Sequence, residues 1–184
     1  MMHIWKYHPG ILMLAELVKS GELGQLKGVK SMRANWTSPR VDTDSLWNLA
    51  IHDLSIAEII LGEVPDKKQC VALRHKGKIR GAVVLMGDDP YYHFEVSNRY
   101  PQKHREVMVF GSKAVAVLHS EQEREISIYR GDDSSRLEDI EEERIPINQT
   151  PPLRIELNCF LNYLDGHPSP PTSLDEGIRL IENI

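Results

Sequence analysis

A chain of 184 residues is long enough for one domain with a full core, and 41% hydrophobic with 27% charged residues is the balance of an ordinary globular protein. No apolar run approaches the ~18 residues a membrane helix needs, no cleavable leader is visible, and a formal charge of −5 argues against a nucleic-acid binder. The two cysteines, Cys70 and Cys159, form neither a metal-ligand spacing nor a disulfide scaffold, which fits a reducing cytoplasm.

The opening, His3-Ile-Trp-Lys-Tyr-His-Pro9, has no polar leader and reads as the tail of a buried strand. Pro9 then opens a helix from about Gly10 to Ser20, with Leu12, Leu14, Ala15 and Val18 apolar and Gly21 ending it. Residues 25–38 alternate loosely and predict a strand, and 38–44 form a polar loop. From Leu46 to Gly62 apolar residues recur at helical spacing (Leu46, Leu49, Ala50, Leu54, Ala57, Ile60, Leu61), with Asp44 or Ser45 as cap and Gly62 and Pro65 as stop. Asn48 and His52, four apart, share one face near the start of this helix.

After Pro65 the period changes to two. Strands are expected at Lys68 to Arg74, Ile79 to Met86, Tyr91 to Asn98, Arg105 to Phe110, Ala114 to His119 and Glu125 to Tyr129, joined by Gly-, Asp- and Pro-containing turns. Lys76, Lys78 and Arg80 read as a solvated hairpin, and the acidic run Glu138 to Glu143 as a surface loop. Two helices follow, Leu153 to Leu164 and Ser173 to Asn183. The order predicts an α+β fold over residues 1–184: an open-faced, mostly antiparallel sheet of about six to seven strands with helices on one face. Trp36 and Trp47 are expected in the core, and which strand face lies outward cannot be decided from alternation.

His52 is the residue with chemical potential, because imidazole accepts and returns a proton near neutral pH. Taken alone, the ordinary reading is a partly buried helix histidine bonded to a neighbouring carbonyl. His104, His119 and His167 lack a carboxylate at metal spacing, so no metal is expected. No Gly-x-Gly-x-x-Gly follows a strand, so no dinucleotide loop is present.

Five stretches carry a family likeness. The opening heptad is similar to a Gly-His-x-x-Arg-Phe-Asn-Pro junction, with Lys6 in place of Arg and His8 in place of Asn. Leu23-Gly-Gln-Leu-Lys-Gly28 looks like a Leu-Gly-x-Ile-x-x-Val turn. Leu46 to Ser55 is similar to Leu-Trp-Asp-Leu-Gly-Pro-His-Asp-Leu-Ser, and Lys103-x-Arg-x-x-x-Val-Phe-Gly-Ser112 to a Lys-x-Arg hairpin ending in Gly-Ser. Pro152 to Phe160 with Ser173 to Ile178 resembles Pro-Leu-x-x-Glu-x-x-His-Phe and the helix start after it. In this order and spacing they resemble the C-terminal domain of the Gfo/Idh/MocA family of NAD(P)-dependent oxidoreductases, a dihydrodipicolinate-reductase-like fold.

The resemblance implies that residues 1–8 are the remnant of a junction with a nucleotide-binding domain. It implies that His52 takes the proton from a substrate hydroxyl while hydride leaves for nicotinamide, with Asn48 at a position where many relatives carry Asp, so proton transfer is expected to be weaker or differently arranged. NAD or NADP is expected in the full-length enzyme and neither on this chain alone. Substrate contacts are expected from Lys6, Arg33, Arg40, Arg99 and Lys103, with Asn98 a further candidate and Arg40 preferred, since sugars, nucleotide sugars and polyols need several fixed donors. Each competes with the reading of an ordinary surface charge. Cys159 stands where relatives have His and reads as a packed thiol. The partners implied are a small-molecule substrate and further copies of the chain, paired as a homo-oligomer through the open sheet. The alternative is a stand-alone, non-catalytic module that binds a sugar or a partner, or only dimerises.

Overall fold

A computed structural model describes residues 3–36 and 43–184. Residues Ile4–Tyr7 form a 3-10 turn, not the expected strand tail, with Lys6 N bonded to His3 O at 2.9 Å and His8 N to Trp5 O at 3.2 Å. Trp5, Lys6 and Tyr7 are all buried. Three consecutive buried positions do not fit a strand with one covered face, which buries every second residue. Pro9 then opens α1 (Pro9–Ser20), where the His8 ring accepts from Gly10 N at 3.1 Å, and Gly21 closes it at φ 74.

The strand β1 (Leu26–Trp36) is followed, after residues 37–42, by a wide π turn at Leu46–Ala50 that runs into α2 (Ile51–Leu61). Seven strands come next: β2 (Lys67–His75), β3 (Lys78–Met86), β4 (Tyr91–Ser97), β5 (Arg99–Gly111), β6 (Ala114–Leu118), β7 (Glu125–Arg130) and β8 (Glu141–Pro146). They join β1 in one sheet of order β2-β3-β4-β1-β5-β6-β7-β8, antiparallel except for the β1–β4 pair. β1 thus enters the middle of the sheet between two strands consecutive in sequence.

The eighth strand falls on the acidic run expected to be a loop. It lies at an edge, where exposed charges are tolerated and blunt strand addition. Cross-strand pairs carry it: Arg144 reaches Glu125 at 2.9 Å, and Ser127 donates to Glu142 at 3.3 Å. The chain ends in α3 (Pro152–Leu164) and α4 (Leu174–Glu182), the latter capped by Ser173 Oγ, which accepts from Glu176 N at 3.1 Å.

One sheet face carries Val29, Val84, Met86, Tyr92, Phe94, Val109, Ala116 and Ile128, which pack with Ile11 and Leu14 of α1 and Leu54, Ala57 and Ile60 of α2 in the buried core. The registers set Val71, Leu73, Val83 and Leu85 on the opposite face, where all four are exposed. Trp36 and Trp47 also lie outside the core, 63% and 54% exposed. Among the described residues no helix is long and apolar enough to cross a membrane.

Candidate functional site

The site grows from the start of the central helix. Asp44 Oδ1 accepts from Leu46 N at 3.1 Å and Trp47 N at 3.3 Å, while Ser45 Oγ donates to Ile79 O at 2.9 Å. One residue caps the turn and the next ties it to β3. π turns are rare and recur at functional positions, and this one carries Asn48 immediately before His52 enters α2.

Asp53, next to His52, is fully buried and fixes the helix to the sheet. It accepts from Arg33 Nε at 3.0 Å and from Ser31 Oγ at 2.7 Å, and its carbonyl accepts from Tyr92 OH at 2.8 Å. Burial pushes its carboxyl up, with Arg33 and Ser31 pulling against that. The Arg33 guanidinium also stacks 4.2 Å from the centre of the Trp5 ring. Arg33, expected to meet substrate, is therefore held by the protein itself.

His52 is held differently. Its carbonyl accepts from Ser55 Oγ at 2.7 Å, but its ring Nδ1 is buried with no hydrogen-bond partner among the described residues. Burial, then the charges of Arg33, His3 and Arg105, lower its pKa to about 4. The imidazole is consequently neutral at pH 7, with an open nitrogen. Arg105 lies opposite Arg33 in the β1–β5 register and donates to Ala34 O, His104 O and Asn35 Oδ1 at 2.7–2.8 Å. It is the functional candidate that residue-by-residue reading passed over, although it sits two positions after Lys103 in the hairpin motif.

The other expected residues are dispersed. Lys6 is buried and paired with Glu58 and, at 2.7 Å, with Glu176, which also meets His3 at 3.0 Å. Arg99 stacks 5.3 Å from the exposed Trp36 ring. Lys103 pairs with Glu121 at the surface. Asn98 is buried on the Arg80 carbonyl, with its Oδ1 unpartnered among the described residues. Arg40 lies outside the described residues. No grouping of three metal-ligating side chains exists among the described residues.

No family model matches the sequence, and no curated protein does. Solved structures match over nearly the whole chain. UDP-N-acetylglucosamine 3-dehydrogenase from Acidithiobacillus ferrooxidans superposes at TM-score 0.79 and 19% identity, covering 98% of this chain and 58% of that one. An NAD-binding oxidoreductase from Klebsiella pneumoniae gives 0.79 at 13% identity, covering 97% and 60%. Levoglucosan dehydrogenase, in complex with NADH and levoglucosan, gives 0.74 at 11% identity, again covering 97% and 60%. The chain spans about three-fifths of the length of these structures.

Proposed function

We propose that this chain, whose fold is that of the C-terminal domain of Gfo/Idh/MocA-type oxidoreductases, supplies the substrate side of an NAD(P)-dependent oxidation of a hydroxyl on a sugar, nucleotide sugar or cyclitol. The observation that carries the reading is His52: a neutral imidazole at the head of a helix, its buried Nδ1 unpartnered among the described residues. The neutral ring is the form that can take a proton from a hydroxyl as hydride leaves the adjoining carbon, although its lowered pKa makes it a weak base.

The sequence holds no Gly-x-Gly-x-x-Gly loop, so in this reading the dinucleotide is held outside this chain. Nicotinamide, when bound, supplies the hydride acceptor; the contribution of this chain is confined to the proton and to orienting the substrate. Arg33 and Arg105 resist charging of His52, and Asn48 is an amide that cannot neutralise it. A pKa near 4 places imidazolium roughly 3 kcal/mol above its usual level, so an anionic group brought by the substrate would be needed to restore basicity. That favours a substrate with a carboxylate or phosphate.

Binding tests the reading. With the chain labelled for NMR, UDP-N-acetylglucosamine is expected to move the His52 ring resonances saturably, with levoglucosan and myo-inositol weaker, and His52→Ala is expected to abolish hydroxyl-dependent turnover in a polypeptide carrying a nucleotide-binding domain as well. Absence of any response at His52 across this panel would contradict it. Binding without turnover by that longer polypeptide would favour the second reading, a non-catalytic sugar-binding module, for which the weakened basicity of His52 is the supporting observation.

A further inference from the structure

Away from the head of α2, a cavity of about 580 Å³ opens between the N-terminal 3-10 turn, α3 and α4. Its volume is that of a small-molecule site. The walls are apolar and aromatic at Leu157, Phe160, Tyr163 and Leu174, with the hydroxyls of Tyr7 and Thr172 bonded to each other at 2.8 Å. Glu156 lies among them.

Glu156 is the anomaly. It is 6% exposed, yet neither carboxylate oxygen has a hydrogen-bond partner among the described residues. The other buried carboxylates are met: Asp53 by Arg33 and Ser31, Glu176 by Lys6 and His3. Two side chains of the N-terminal turn that could answer Glu156 are already engaged, Lys6 with Glu58 and Glu176, and His3 with Glu176. An ionised carboxylate taken out of water without a counter-charge is expensive, so such a group either holds a proton or awaits a cation. Burial does raise the Glu156 pKa, consistent with an unmet charge. Glu156, Phe160 and Tyr163 are spaced i, i+4 and i+7 on α3, so one helical face presents a carboxylate beside two aromatic rings. Aromatic faces attract ammonium groups.

We propose that this cavity binds a small organic cation, an ammonium group on an apolar body, with Glu156 as its counter-charge and Phe160 and Tyr163 as its aromatic walls. The site is independent of the role assigned to His52.

Phenethylamine is a suitable probe, with 2-phenylethanol as its neutral counterpart. Calorimetry and thermal denaturation of the full chain at pH 7 are expected to show saturable binding of the amine, at least tenfold tighter than the alcohol. Glu156→Gln is expected to fold with a Tm at or above the wild-type value and to lose at least tenfold in amine affinity while leaving the alcohol unchanged. No amine binding, equal affinity for amine and alcohol, or undiminished amine binding by Glu156→Gln would each overturn the proposal. A lowered Tm for that variant would overturn it too, by showing that the carboxylate already serves the protein. Should the variant not fold, amine against alcohol on the wild type, and on Phe160→Ala, still decides.

Discussion

Arg33 Nε stands 3.0 Å from Asp53 Oδ2, and neither side chain is reached by solvent. This ion pair joins the central strand of the sheet to the first turn of the helix that presents His52, so the position of the candidate base is set by the residue next to it. The pair also bears on the electrostatics of His52, because Arg33 is among the charges that lower its pKa.

Breaking the pair from one side should be far worse than replacing both sides. Asp53→Ala leaves Arg33 buried without its carboxylate and is expected to destabilise the fold by about 3–5 kcal/mol in urea denaturation. Arg33→Met combined with Asp53→Leu should recover most of that loss, since apolar groups of similar volume carry no desolvation cost. A loss below ~1 kcal/mol for Asp53→Ala would show that the pair contributes little to holding the helix.

His52 gives the fold a pH dependence of known sign. Its native pKa of about 4 lies below the ordinary value, so the native state favours the neutral ring. The stabilising contribution is complete above pH ~6.5, where the unfolded histidine is also neutral, and is lost as pH falls through about 4, amounting to ~3 kcal/mol. His52→Gln should flatten part of the acid limb of a stability–pH curve, the rest belonging to groups such as His8, whose pKa burial also lowers. Directly, the His52 ring proton should not titrate in NMR until pH approaches 4; a midpoint near 6.5 would remove the premise.

Period and punctuation made the helices and most strands legible. Gly21 and Gly62 end α1 and α2 with positive φ, as their positions after apolar helical stripes imply. Two things were not legible for physical reasons. The charge run from Glu138 hides β8 because an edge strand takes its stability from backbone pairing and cross-strand ion pairs, not from an apolar face. The insertion of β1 between β4 and β5 leaves no local trace, since parallel pairing over a long separation depends on tertiary packing. Within the candidate site, helix position and family likeness single out His52 as the candidate base. The ion pairs that occupy Arg33 and Lys6 were not, because Asp53, Glu58 and Glu176 come from other elements.

The exposed sheet face should mediate self-association. Val71, Leu73, Val83 and Leu85 are 40–64% exposed and adjacent across β2 and β3, an apolar patch of the kind that marks interaction sites. Sedimentation equilibrium is expected to show a dimer or larger species, and Val83→Lys with Leu85→Glu should weaken it at least tenfold, about 1.4 kcal/mol. A wild-type monomer at high concentration would remove this expectation.

The Gly-Ser end of the Lys-x-Arg hairpin motif should prove structural and not functional. A Cβ on Gly111 would stand 2.1 Å from the Leu23 carbonyl oxygen, a backbone atom that also accepts from Lys113 N at 3.0 Å. Ser112 Oγ accepts from Gln25 N at 2.9 Å, and Ser112 N donates to Gln25 O at 2.9 Å, so the hairpin is latched to the turn before β1 through backbone groups and the Ser112 hydroxyl. Gly111→Ala must move that latch and is expected to cost about 1–3 kcal/mol. Gly77→Ala is the control, with nothing within 4 Å of its Cβ and only a positive φ to resist it, for roughly 1 kcal/mol. Thermal denaturation of the two variants should rank Gly111→Ala as the more damaging, with the His52 resonances of each folded variant unmoved. A shift confined to His52 in Gly111→Ala, without loss of Tm, would instead tie the motif to the site.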